Sequence, residues 1–146
     1  MSFIVFLRDS QYGMPAMQSV HLVGITVLLA SMLVLNLRLA GLALVDTPLV
    51  WLARQLKPWA LGALTVVVLS GLLIFVGTPS KYLASNPFRF KMGALLVATL
   101  FQFAVLRRFS SVELSRARTV KILIAVLSLT LWFSVGWAGR AIAFVP

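Results

Sequence analysis

The sequence predicts an all-α protein, an integral membrane up-down bundle of four transmembrane helices. Hydrophobic residues make up 61% of the 146 residues, and the mean hydropathy is +1.03, whereas a soluble domain is only about half apolar. The apolar residues form four runs long enough to cross a bilayer, and most Lys and Arg residues lie between or beside these runs. A lipid-exposed run must satisfy its backbone hydrogen bonds internally, so each run is expected to be a helix. Short connections then make neighbouring helices antiparallel.

The first spanning helix is predicted to begin just after Pro15, because the amide that proline lacks would have no partner in a first turn. Residues 1–13 are expected to be an interfacial lead-in. Their apolar piece is too short for a cleavable signal peptide and is followed by Arg8 and Asp9. Two ionisable residues of the helix, His21 and Arg38, are separated by about 26 Å of helix, against roughly 30 Å of hydrocarbon. One is therefore expected near each border of the apolar layer.

The remaining boundaries follow from proline, glycine and capping residues. Pro58 is expected to open the second spanning helix, and Gly77 to end it. Asn86 and Pro87 form a cap and first-turn proline for the third, and the fourth ends before Gly139. The chain is predicted to be a single membrane domain with spanning helices over about 16–42, 59–76, 87–106 and 120–137, and a short interfacial helix over about 48–57.

The Lys and Arg residues are divided unequally between the two sides of the predicted bundle. One side holds Arg38, Arg54, Lys57, Arg107, Arg108, Arg116, Arg118 and Lys121. The other side holds Arg8, Lys81, Arg89, Lys91 and Arg140. Since the more basic side faces the cytoplasm, both termini are predicted on the periplasmic face of a bacterial inner membrane. The formal net charge of +10 then suits the anionic lipid of the bilayer as the partner, and no nucleic acid is expected.

One cluster of polar and aromatic residues is expected on the side that carries the termini, because the topology brings together the start of helix 1, the start of helix 3 and the end of helix 4. These residues are His21, Arg89, Lys91, Trp137 and Arg140. They are interpreted either as one polar pocket or as headgroup anchors, the usual role of basic and aromatic residues at this depth. An anionic group would be favoured beside the two cations at the start of helix 3.

His21 has three interpretations, since an ionisable group inside a membrane bundle is a site hypothesis by default. In the first interpretation it is a structural histidine, hydrogen-bonded to a carbonyl or to a hydroxyl such as that of Ser134. Alternatively, it is an axial ligand of haem b, with Gly24 leaving room for a flat ring and basic residues pairing the propionates. In the third interpretation it binds copper together with Met14 and Met17, which share its helical face. A single histidine excludes two histidine ligands from one chain.

Sequence features of most enzymes are missing. The chain has no cysteine and only three acidic residues, and it contains no zinc-protease motif, phosphate-binding glycine loop or serine–histidine–acid set. We therefore expect a non-catalytic multi-pass protein, either a haem b-binding or accessory subunit of a membrane redox complex, a copper-handling protein, or a structural subunit. A membrane-protein partner or a second copy of the chain is the expected protein partner.

Four stretches carry a family resemblance: HLVGITVLLASMLVLNLRLAGL, LARQLKPWALGALTVVVLSGLLIF, KYLASNPFRFKMGALLVA and LWFSVGWAGRAIAF. They resemble a family of small bacterial four-helix membrane proteins of unknown function, which is distantly similar in organisation to the membrane domain of copper-resistance D proteins. The resemblance implies a polytopic protein of the bacterial inner membrane, often without assigned activity. Members can carry a further histidine near the end of helix 3, where this chain has Gln102, so a site that needs two histidines is disfavoured.

Overall fold

The computed structural model describes residues 5–6, 9–109, 117–142 and 144, with the side chains of 108 and 109 left out. These ranges consist of helices joined by turns and short irregular segments, and they contain no strand. The helices are α1 Gly13–Leu39, α2 Leu49–Gly77, α3 Pro79–Ala84, α4 Asn86–Phe109 and α5 Arg118–Ala141. By length and composition α1, α2, α4 and α5 are each able to cross a membrane. The predicted set of four apolar spans is therefore present.

The helices α1 and α2 form the most closely associated antiparallel pair. Met14 lies against Gly77 near the start of α1, and Gly24 lies against Val67 further along. Small residues at both points let the two backbones approach, as is usual between membrane helices. This pairing brings the first third of α1 against the last third of α2.

The helices α4 and α5 form a second antiparallel pair. Lys91 of α4 crosses Gly139 of α5, and Gln102 is hydrogen-bonded to Ser128 further along the pair. The two pairs meet mainly where α1 packs against α5, whereas α2 and α4 barely touch. The starts of α1 and α4 and the ends of α2 and α5 therefore lie together, at what we call the His21 end. The opposite end is the Arg38 end.

Two apolar clusters fill the centre of the bundle. The Trp132 cluster is made of Leu28, Met32, Ala60, Ala63, Ala98, Trp132 and Val135. The Ala125 cluster lies nearer the Arg38 end and is made of Leu39, Ala40 and Ala125. Large apolar side chains such as Leu69, Leu100 and Leu123 are exposed on the outside. Such a surface is unfavourable in water and suits contact with lipid tails.

The structure differs from the prediction at Pro58, because α2 runs without a break from residue 49 to residue 77. The predicted interfacial helix over 48–57 is the first part of α2. Pro58 removes only one backbone donor, so the carbonyl of Arg54 loses its helical partner while the helix continues. Leu52, Ala53 and Ala60 on both sides of the proline are all buried, and this continuous buried stripe holds the two parts in line.

A further difference is the short helix α3, which occupies the loop between the second and third spans. Pro79 is its first residue, where a proline fits. The rings of Phe75, Tyr82 and Phe88 contact one another, with centroid separations of 5.4–6.3 Å. They join α3 to the neighbouring ends of α2 and α4.

The last spanning helix continues past Gly139, where the sequence indicated its end, and reaches Ala141. The side chain of Lys91 lies against this glycine, so the residue serves close packing between helices. Most of the connection between α4 and α5 falls outside the described residues, as do Arg8 and Arg116 of the predicted basic set.

Candidate functional site

His21 is joined to α2 by a hydrogen bond between the two helices. Its Nδ1 lies 2.8 Å from the hydroxyl oxygen of Ser70. That hydroxyl lies 2.5 Å from the carbonyl oxygen of Val66, to which it donates its single hydrogen. The oxygen of Ser70 then accepts from Nδ1–H, and this network assigns the ring tautomer that carries a lone pair on Nε2. The Nε2 atom is therefore the ring nitrogen left for a further partner.

Gly71 provides the space for the imidazole ring. A Cβ atom at this position would lie 3.2 Å from Cε1 of His21 and 3.7 Å from Nδ1. The partner suggested by the sequence, Ser134, lies elsewhere in the hydrogen-bond network and donates to the carbonyl of Leu131 at 2.7 Å. Ser70 takes its place because α2, not α5, is the helix that packs closely along this part of α1.

Gly24 does not leave an open slot beside His21. A Cβ atom at Gly24 would lie 3.0 Å from a methyl carbon of Val67 and 3.1 Å from one of Val66. These two side chains fill the volume that was expected to admit a flat ring. Gly24 is instead a point of close approach between α1 and α2.

Met14 and His21 contact α2 at separate points. The sulfur of Met14 lies 3.3 Å from the Cβ position of Gly77, whereas His21 contacts Gly71, about 9 Å away along the helix axis. Met17 lies one helical turn before His21 and shares its face. Met14 therefore lies against a different part of α2 from the imidazole, and helical spacing places Met17 one turn from His21 along α1. Within the described residues, no group of three His, Cys, Asp or Glu side chains is placed to hold a metal ion.

Lys91 lies across α5 and is partly buried. Its Nζ is 3.3 Å from the Cβ position of Gly139, so the glycine allows the lysine chain to pass between the helices. The ammonium lies within electrostatic range of His21, and no carboxylate of the described residues is paired with it. A positively charged group in this position suits an anionic partner.

The other predicted site residues lie at the surface of the His21 end. Arg89 donates to the carbonyl of Leu83 from Nε at 3.3 Å and from Nη2 at 3.0 Å. Trp137 is 72% exposed, and the guanidinium of Arg140 lies 5.3 Å from the ring centroid of Phe144. The structure thus brings His21 and Lys91 towards each other and leaves Arg89, Trp137 and Arg140 at positions typical of interfacial anchors.

Two site residues were missed in the sequence: Ser70 and Gly71. They form a Ser-Gly pair in the middle of an apolar run, which is the signal that could have identified them. A polar residue next to the smallest residue marks a place where another helix can bring a polar side chain close.

Comparison with known proteins identifies a family without assigning an activity. No curated protein and no solved structure matches the chain. None of the comparisons connects it with copper-resistance D proteins. A family model covers residues 1–145, which is almost the whole chain. The chain therefore belongs to DUF6644, a family of unknown function.

Proposed function

We propose that this protein is a non-catalytic membrane subunit that binds haem b through Nε2 of His21. The observation that carries the proposal is the hydrogen bond between Nδ1 of His21 and Ser70. Metal-binding histidines almost always donate their second ring nitrogen to a neighbouring acceptor, which sets the tautomer and orients the ring. Ser70 supplies that acceptor and is itself held by the backbone of α2.

The residues at the His21 end fit part of what haem b requires. A neutral imidazole is a usual axial ligand, and the ammonium of Lys91, which has no carboxylate partner among the described residues, suits a propionate. Val66 and Val67 fill the volume beside Gly24, so the macrocycle has no room on that side. The second axial position would go to a methionine, to water or to His21 of a second copy, since the chain has one histidine.

An absorption spectrum of the purified protein tests the proposal. Protein produced with ample haem precursor and purified in mild detergent is expected to show a Soret band, and His21→Ala is expected to remove it. Thr26→Ala is a matched control on the same helix, because that hydroxyl donates to the carbonyl of Leu22 one turn back at 2.9 Å. A colourless folded protein, or a Soret band that survives His21→Ala, would contradict the proposal.

Copper binding is the alternative, favoured by the position of Met17 one turn before His21. Thioether and imidazole groups suit Cu(I). Competition with a chromophoric chelator should show weaker Cu(I) binding in Met17→Leu and in His21→Ala. Met14→Leu should bind as wild type, because Met14 packs on Gly77 away from the imidazole. Equal affinity in all variants would exclude this site.

A purely structural role is the function left if neither cofactor binds. Its support is the largely exposed apolar surface of the four long helices, which suits lipid or a partner helix. Co-purification of another membrane protein at fixed stoichiometry from the bacterial inner membrane would support that role. Purification of the protein as a monomer without a partner in mild detergent would count against a structural role.

A further inference from the structure

A polar layer lies between the two apolar clusters of the bundle. It consists of Asn36, Gln102, Ser128 and the indole nitrogen of Trp132. The four residues are 1%, 3%, 1% and 3% exposed, respectively. Three of them are polar side chains, which are rare and costly at such depth in a membrane helix.

The packing of the helices places these residues at one level. In α1, Asn36 lies between Met32, which belongs to the Trp132 cluster, and Leu39, which belongs to the Ala125 cluster. In α5, Ser128 lies between Ala125 and Trp132 themselves. Gln102 of α4 joins this level through its hydrogen bond to Ser128. Apolar side chains therefore close the layer on both sides along the bundle axis.

Only some of the polar atoms in the layer have hydrogen-bond partners in the protein. The hydroxyl of Ser128 donates to Oε1 of Gln102 at 2.6 Å, and Nδ2 of Asn36 donates to the carbonyl of Met32 at 2.7 Å. Oδ1 of Asn36, Nε2 of Gln102 and Nε1 of Trp132 are buried and have no hydrogen-bond partner among the described residues. Buried polar atoms in native proteins nearly always have a partner, either protein or water.

The donor and acceptor character of the three unpaired atoms defines the kind of partner that they require. Asn36 offers an acceptor, while Gln102 and Trp132 offer donors. One water molecule donates to the first and accepts from the other two, which is within the usual two to four hydrogen bonds of an internal water. The side chains of the layer are uncharged, so a neutral partner fits and an ion does not.

We propose that this layer is an internal water site shared by α1, α4 and α5. The water bonds Oδ1 of Asn36, Nε2 of Gln102 and Nε1 of Trp132, and so links the α1/α2 pair to the α4/α5 pair. These pairs otherwise meet mainly through apolar packing of α1 on α5. The site is independent of any cofactor at His21.

Water-to-protein cross-relaxation NMR on ¹⁵N-labelled protein in deuterated detergent tests the site. The indole N–H of Trp132 and the side-chain amide of Gln102 should show cross-peaks at the water frequency, with the sign of a long-lived water. The backbone amide of Ala98 in the adjacent apolar cluster should show none. A folded protein without these two cross-peaks would overturn the proposal.

A pair of variants separates a shared water from two unrelated ones. Gln102→Met keeps the length of the side chain but removes its amide, and it should reduce the Trp132 cross-peak at least twofold. Ser128→Ala leaves all three water-bonding atoms in place, so the Trp132 cross-peak should persist. An unchanged Trp132 cross-peak in Gln102→Met would overturn the shared site. If Gln102→Met does not fold, Asn36→Leu takes its place, because it removes the acceptor of the shared water and should likewise reduce the Trp132 cross-peak.

Discussion

Gly71 and Gly62 lie in the same helix, yet their surroundings are opposite. A Cβ atom at Gly71 would press on the ring of His21 at 3.2 Å, whereas one at Gly62 would meet nothing within 4 Å among the described residues. In an otherwise unhindered helix interior, alanine is more favourable than glycine by about 1 kcal/mol. Alanine substitutions at the two positions therefore distinguish the effect of close packing, at Gly71, from the effect of helix propensity, at Gly62.

Gly71→Ala is expected to lower the free energy of unfolding by about 1 kcal/mol, because an overpacking cost of about 2 kcal/mol exceeds the helix-propensity gain of about 1 kcal/mol. Gly62→Ala is the matched control and is expected to raise that free energy by up to about 1 kcal/mol. Both are measured by unfolding in mixed detergent micelles. Equal effects of the two substitutions would show that the imidazole does not lie on Gly71.

The hydrogen bond between His21 and Ser70 can be measured by a double-mutant cycle with alanine at both positions. Such bonds between membrane helices contribute about 0.6 kcal/mol on average and at most about 1.7 kcal/mol. A coupling free energy within that range is expected. Thr65→Ala is the control, because its hydroxyl donates to the carbonyl of Leu61 within the same helix, and it should show no coupling with His21. A coupling of zero for Ser70 would contradict the bond.

Among the helices, α2 contains a proline that neither ends it nor separates its two parts. Pro58 is exposed, while the buried stripe of Leu52, Ala53 and Ala60 continues past it. Packing of that stripe compensates for the one hydrogen bond that the proline removes. The local rule that a proline opens a new helix is thus overridden by contacts between helices.

Pro58→Ala is expected to raise the free energy of unfolding, because it restores an amide donor for the carbonyl of Arg54. The gain should be about 1–3 kcal/mol, up to the usual cost of a proline inside a helix. Pro15→Ala is the control, since Pro15 lies in the first turn of α1, where the missing donor has no helical acceptor. A loss of stability in Pro58→Ala would indicate that a bend at the proline is needed for packing.

Across the complete bundle, the connection within the α1/α2 pair and the connection between the two pairs lie at opposite ends. Val45 lies in the exposed connection from α1 to α2 at the Arg38 end, and Ser80 lies in exposed α3 at the His21 end. If α2 crosses a membrane, these two residues face different compartments. The more basic Arg38 end is then expected in the cytoplasm.

Cysteine labelling tests this arrangement, because the chain has no cysteine of its own. In intact bacterial spheroplasts, an impermeant maleimide should react with Ser80→Cys, whereas Val45→Cys should react only after lysis. Detergent-solubilised protein is the control, in which both variants should react. Labelling of both from one side would contradict a membrane span between them, and the reverse pattern would contradict the predicted orientation.

The number and approximate extent of the apolar spans could be inferred from the order of residues alone. This information is local, because a run of apolar residues between charged connections must satisfy its backbone hydrogen bonds in a helix. Glycine and capping residues mark ends locally as well, as Gly77 does for α2 and Asn86 for α4. The placement of His21 and Lys91 at the same end of the bundle was also predictable, because up-down topology alone requires it.

Only the structure showed which faces of the helices are in contact, because this depends on how the folded chain packs. Packing joined His21 to Ser70 instead of Ser134 and filled the space beside Gly24 with two valines. It also gathered Asn36, Gln102 and Ser128, which are far apart in the chain, into one buried layer. Spacing along a helix identifies residues on the same face, but the rotation and depth of the opposing helix arise from contacts between distant segments.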